Sequence, residues 1–179
     1  MLAGMDLTPD GRTAGFVVRP TSEDDWRDIR ALRLEMLADT PTAYAETLDS
    51  ALQHGEAEWR MRGRRGTAEH GTALVAVTEQ GLWGGTMGGV LLAGTGPLLV
   101  GVYVAPAFRG ADAGVTDALL ARVEDWARGE GDTLALHVHE RNARARRAYE
   151  KRGFAATGTT LPYVLDPTAS EIEMSKRVT

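Results

Sequence analysis

From Val102 the chain reads Val102-Tyr103-Val104-Ala105-Pro106-Ala107-Phe108-Arg109-Gly110-Ala111-Asp112-Ala113-Gly114-Val115-Thr116. A strand-like apolar run enters a loop of Arg, Gly and Ala that opens an amphipathic segment. Such a loop offers successive backbone N–H groups, and a helix N-terminus adds partial positive charge, so a pyrophosphate suits it. Small residues let backbone approach phosphate, and Arg109 can add charge-assisted bonds. The same residues also make an ordinary tight turn before a helix. A second run, Asn142-Ala143-Arg144-Ala145-Arg146-Arg147-Ala148-Tyr149-Glu150-Lys151-Arg152-Gly153-Phe154, places Tyr149 two helical turns from Asn142, on one face. Asn142 can cap that helix and offer an amide to a ligand. A capped helix with a tyrosine at the core edge and a glycine stop is the plainer reading.

Both runs need elements to hold them. Phe16 to Val18, closed by Arg19-Pro20, suits a first strand. Thr21 and Ser22 are capping residues ahead of Asp24 and Asp25, and Trp26, Ile29, Leu32, Met36 and Leu37 follow at helical spacing. A helix is therefore expected over 22–38, ended by Pro41, with a short one over 55–62 and a loop over 63–71. Strands are expected over 73–78, 83–93 and 98–104, joined as antiparallel hairpins. The glycines of the middle strand (84, 85, 88 and 89) predict a bulge or bend. Val115, Ala118, Leu119, Val123 and Trp126 then trace a helix over 114–128 that Gly129 and Gly131 end. Leu134, Leu136 and Val138 alternate as a half-buried strand, Ala145 to Arg152 is helical, and strands close the chain near 154–157 and 170–178. Hairpins followed by strand–helix–strand–helix–strand predict an α+β fold on a mixed sheet.

Composition narrows the function classes. The 179 residues suit a single domain over 15–179 behind a frayed tail, 1–14. Without cysteine there is no disulfide, thiol nucleophile or thiolate metal site, and a reducing cytoplasm is the expected home. The four histidines are too scattered to suggest a metal. A net charge of −5 speaks against nucleic acid, and no apolar run approaches a membrane span. Residues 1–15 lack the basic start and apolar stretch of a signal peptide.

Taken in order, these runs resemble the GNAT superfamily of acyl-CoA-dependent N-acetyltransferases across nearly the whole chain. Val-x-Pro-x-x-Arg-Gly, here Val104 to Gly110, looks like the family's acyl-CoA loop. Asn-x-x-Ala-x-x-x-Tyr-x-x-x-Gly-Phe, Asn142 to Phe154, is similar to its second motif. The opening Arg19-Pro20 strand and the ending from Asp166-Pro167 to Met174 fit as well. One departure is Asp112, which falls at the loop's first glycine when read without gaps. Gly114-Val115-Thr116 aligns instead if the loop is two residues longer, and an aspartate there would repel phosphates unless it caps the helix.

The resemblance implies a mostly antiparallel mixed sheet of about seven strands and about four helices, split where acyl-CoA inserts. It implies acetyl transfer from acetyl-CoA to a primary amine of a small molecule or peptide, by direct attack on the thioester and without a metal. Acyl-CoA would be held by Val102, Tyr103, Val104, Arg109, Gly110, Gly114, Val115, Thr116, Asn142 and Tyr149, with Tyr149 catalytic toward the departing thiolate. The three strand residues would add pantetheine to an open edge and polarise the thioester carbonyl. Glu46, His137, His139, Glu140, Asp166 or a water chain could serve as base, although His137 and His139, on one strand face, read as solvent-facing. Tyr44, Trp59, Trp83 and Tyr163 are expected acceptor walls, with 159–166 a loop. A non-catalytic acyl-CoA-binding or partner-binding module on the same fold is the alternative, and a phosphate-binding enzyme on a doubly wound sheet would explain the loop alone. A homodimer is the expected assembly where one forms.

Overall fold

A computed structural model describes residues 12, 13, 15–110 and 114–179. Its strands are β1 (Arg12–Thr13), β2 (Phe16–Pro20), β3 (Gly71–Thr78), β4 (Trp83–Leu92), β5 (Gly96–Val104), β6 (Thr133–His139), β7 (Ala155–Tyr163) and β8 (Asp166–Arg177). The helices are α1 (Trp26–Asp39), α2 (Leu48–Leu52), α3 (Glu56–Arg64), α4 (Val115–Glu130) and α5 (Ala143–Glu150). One sheet runs in the order β1-β2-β3-β4-β5-β6-β8-β7, and every neighbouring pair is antiparallel except β5 with β6. Most of the expected tail lies outside the described residues; Arg12 and Thr13 pair with Val17 and Phe16.

Helix α4 covers one face of the sheet because Val115, Ala118, Leu119, Val123 and Ala127 repeat at three and four, and all are buried. They pack with Leu74, Met87, Leu99, Leu134, Leu136 and Met174. A Cβ on Gly89 would stand 2.2 Å from Cζ3 of Trp126, so this glycine in β4 is what lets the helix lie so close. The other face carries a second core, in which Leu32, Met36 and Leu37 of α1 meet Tyr44, Ala51, Trp59, Tyr103 and Ala105.

The first helix starts later than expected. A 3-10 turn, Glu23–Asp25, precedes α1, and Asp25 is held by Arg19 at 2.8 Å and by the Ser22 N–H at 2.7 Å. Residues 63–71 are only partly loop: α3 runs to Arg64 and a 3-10 turn follows. Gly63 lies where α3 crosses the Ser22–Glu23 backbone, and a Cβ there would fall 2.1 Å from the Ser22 carbonyl oxygen. The segment 159–166, expected as loop, belongs mostly to the β7–β8 hairpin. Edge strand β7 is exposed on both faces for most of its length, so no alternation marks it. Among the described residues no helix is long and apolar enough to cross a membrane.

Candidate active site

The parallel strands β5 and β6 pair only through Leu98 with Ala135 and Leu99 with Leu136, then separate. The separation coincides with a bulge in β5, where Gly101 and Val102 together face Met87 of β4. Gly101 has φ +61°, a conformation glycine adopts without strain. The glycine-rich strand β4 has its own bulge against β3, at Gly84, as its composition led us to expect.

Past the bulge, the Ala105 N–H donates to Gly84 O at 3.0 Å, which sets the alternation of the β4–β5 ladder. The backbone of Tyr103, opposite Thr86, therefore faces β4, while Val102 and Val104 turn to the open edge. Side chains occupy both of those carbonyls. The Tyr44 hydroxyl donates to Val102 O at 2.9 Å, and Arg109 Nε donates to Val104 O at 2.8 Å. The open edge is thereby biased toward donors, with the Val104 N–H by alternation and the Val102 N–H as the bulge's candidate, which fit the carbonyl groups of an inserted amide chain. Tyr103 does not share the edge role expected for it. Its buried ring joins the α1 core and its hydroxyl donates to Glu35 Oε1 at 2.9 Å.

The loop beyond β5 places Gly110 at φ +111° and Gly114 at φ +67°, the latter as N-cap of α4. Val115 and Thr116 supply first-turn N–H groups, which have no carbonyl partner within a helix. Val115's side chain is buried, so only its backbone can serve a ligand. This start agrees with the register that puts Gly114-Val115-Thr116 at the helix entrance; Asp112 lies outside the described residues. The Arg109 guanidinium, expected to bond phosphates, also holds Asp39 and lies 5.5 Å from the Tyr103 ring centre.

Tyr149, on α5, packs edge-on against Phe154 at 5.7 Å. Burial pushes its hydroxyl up to about 12, keeping it protonated at neutral pH. Asn142 caps α5, its Oδ1 accepting from the Ala145 N–H at 3.1 Å, which leaves its amide NH2 for another partner. A cleft of about 900 Å³ takes in Val102 and Tyr149, whereas Arg109, Gly110, Gly114, Val115, Thr116 and Asn142 are not among its walls.

On the α1 side the cleft is lined by Tyr44, Trp83, Arg33, Glu46, His54 and Arg62. Two of the expected aromatic walls are instead core. Trp59 is fully buried, and Tyr163, 4% exposed, donates its hydroxyl to Tyr44 O at 2.8 Å. Glu46 accepts two bonds from Arg62, at 2.8 and 2.9 Å, one from Arg33 at 2.9 Å and a contact from His54 at 2.8 Å. These partners, Arg62 foremost, hold its carboxyl down to about 2, which makes it a poor proton acceptor. Nor do the β6 histidines face solvent. His139 is 7% exposed against the Tyr163 ring at 4.9 Å, and its Nδ1 accepts from the Arg141 N–H at 3.2 Å. His137 lines the cleft. Neither the Tyr44–Val102 bond nor the Arg33–Glu46–Arg62 cluster has a local sequence signal, because each joins distant segments. Among the described residues no group of three or more His, Cys, Asp or Glu is placed to hold a metal.

Comparison with known proteins agrees with this geometry. The model of the acetyltransferase (GNAT) family matches residues 30–154. No curated protein matches the chain. Among solved structures, a GCN5-related N-acetyltransferase from Kribbella flavida is similar at 22% identity and TM-score 0.70, over 91% of this chain and 98% of its own. Spermidine N-acetyltransferase from Vibrio cholerae, in complex with CoA and spermine, is similar at 16% identity and TM-score 0.69, over 92% and 96%. A Salmonella typhimurium protein solved with its cofactor acetyl-CoA is similar at 21% identity and TM-score 0.66, over 93% and 95%. With its family match spanning more than half its length and both motifs framing one split sheet, the chain belongs to the GNAT acetyltransferase family.

Proposed function

We propose that the protein transfers an acetyl group from acetyl-CoA to a primary amine by direct attack on the thioester. The observation that carries the reading is the β5–β6 split, whose open edge has its carbonyls taken by Tyr44 and Arg109 and its donors, on Val102 and Val104, left over. Pantetheine amides can add to that edge as a strand would. The same donors, fixed before reaction, can stabilise negative charge as it grows on the thioester oxygen. Gly110, Gly114, Val115 and Thr116 would meet the pyrophosphate with backbone N–H groups, and Arg109 would reach it by leaving Asp39. The Asn142 amide would hold pantetheine or a bridging water.

Tyr149 suits the leaving group. Its phenol stays protonated at neutral pH and lines the cleft beside the open edge, so it can donate to sulfur as the C–S bond breaks. The acceptor would approach through the Tyr44–Trp83 side of the cleft. Calorimetry with acetyl-CoA, followed by assay of CoA release across a panel of primary amines, tests the proposal. Saturable binding with amine-dependent release is the expected result; binding without release would make the chain an acyl-CoA-binding module.

A further inference from the structure

Resting on that reading, we infer that His137 is the general base of the reaction and that Glu173 positions it. An amine with a pKa of ~10 is almost wholly cationic at neutral pH, and its nitrogen must shed a proton to become an amide. Most candidate acceptors are occupied. Glu46 is clamped by two arginines, and His54 is bound to Glu46. His139 Nδ1 already accepts a backbone N–H, and Asp166 accepts from the Thr168 hydroxyl at 2.6 Å and its N–H at 3.1 Å. Glu140 is exposed, beyond the end of β6 and outside the cleft walls.

His137 differs. Its Nε2 is buried without a hydrogen bond and lies 3.7 Å from Glu173 Oε2, its direct cross-strand partner on β8. That gap is too long for a hydrogen bond, so the carboxylate faces the ring edge without fixing it by a direct bond. Glu173 is itself held in place by the Thr157 hydroxyl, which donates to Oε1 at 2.8 Å. With the Nε2 proton turned to Glu173, Nδ1 carries the lone pair on a ring that lines the cleft.

The location is right for attack. His137 directly follows Leu136, the last β6 residue paired with β5, so it stands where the split opens. Its neighbours Leu136 and Val138 point into the α4 core, and Tyr149 packs against that same core. The alternation therefore puts His137 on the opposite face of the sheet from Tyr149, with both lining one cleft. An amine can enter on the histidine side while the thiolate leaves on the tyrosine side. The neutral amine forms the C–N bond to the carbonyl carbon, and the C–S bonding pair goes to sulfur. Before attack His137 Nδ1 takes the ammonium's extra proton and passes it to solvent. Tyr149 gives a proton to sulfur, and the second nitrogen proton, lost as the amide forms, returns to Tyr149 through solvent. Ammonium and thioester thus give amide, thiol and one free proton.

The test compares the parent with His137→Ala, His137→Gln and Glu173→Gln, using the fastest primary amine of a panel and, separately, hydroxylamine, a nucleophile largely unprotonated at neutral pH. Both His137 variants should lose roughly 10²- to 10⁴-fold in turnover with the amine and much less with hydroxylamine, while acetyl-CoA binding is kept. Equal losses with both nucleophiles, or amine turnover like the parent's with chemistry rate-limiting, would overturn the assignment. A parent that acetylates no amine of the panel would instead overturn the acetyltransfer beneath it. Nitrogen-15 spectra of the parent's histidines give a result that needs no His137 variant: a neutral His137 protonated at Nε2 agrees, and one protonated at Nδ1 contradicts. Glu173→Gln should weaken that tautomer preference, a change that loss of packing alone would not produce.

Discussion

Tyr149 and Glu46 sit in one cleft with opposite protonation constraints. The Tyr149 phenol is neutral at pH 7, its pKa raised further by burial, and removing its hydroxyl as Tyr149→Phe keeps the ring that packs on Phe154. Turnover should fall roughly ten- to a thousandfold with acetyl-CoA affinity nearly unchanged, because the lost interaction belongs chiefly to the transition state. Steady-state kinetics with calorimetry check this, and unchanged turnover with chemistry rate-limiting would remove Tyr149 from catalysis. Glu46 is held ionised, its carboxyl lowered from 4.5 to about 2 by Arg62, Arg33 and His54. A carboxyl lowered by folding contributes stability above its unfolded value and loses it as pH falls through the folded one. Glu46→Gln should therefore destabilise the protein by about 1–3 kcal/mol at pH 7. The difference from the parent should shrink between pH 4.5 and about 2. Urea melts across that range measure it, and a difference independent of pH would show that the cluster's charge is not the source.

At the scale of elements, the site depends on where strands part and helices cross. Gly101 turns the β5 bulge with φ +61°, which costs other residues about 1–2 kcal/mol. Gly101→Ala should lose about that much stability and also weaken acetyl-CoA binding, since it strains the bend that opens the edge. Chemical denaturation and calorimetry separate the two effects; a destabilised variant with parental affinity would show that the bulge does not shape the donor edge. The elements nearest this chemistry were legible in the sequence. Helix α4 shows three-and-four spacing, β6 alternates, and α5 carries its asparagine cap and glycine stop at fixed spacing. Helix α2 has no sequence signal, because five residues hold barely more than one turn of pattern. Gly63 read as the start of a loop although it sits inside α3; its meaning lies in the Ser22 carbonyl above it, a contact between segments some forty residues apart. The orientation of Tyr103 is not legible in sequence, because strand alternation past a bulge depends on the bulge's position, which depends on the β4 pairing.

For the molecule as a whole, two motifs in order were enough to suggest the family, while the acceptor side required the folded chain. Tyr44 reaches Val102, Tyr163 reaches Tyr44, and His137 meets Glu173, and each contact joins segments that the motifs leave unconnected. If the split is a site for acyl-CoA, acetyl-CoA should stabilise the native state, by ~2.7 kcal/mol at a hundredfold excess over its dissociation constant. The account is tested most directly by mixing the purified protein with isotopically labelled acetyl-CoA and a panel of primary amines, then following free CoA and labelled amide together. It predicts that at least one amine becomes acetylated in step with CoA release, at a rate that saturates in both reactants and falls with Tyr149→Phe. A folded protein that binds acetyl-CoA yet labels no amine, releasing CoA only at the rate of hydrolysis, would contradict it.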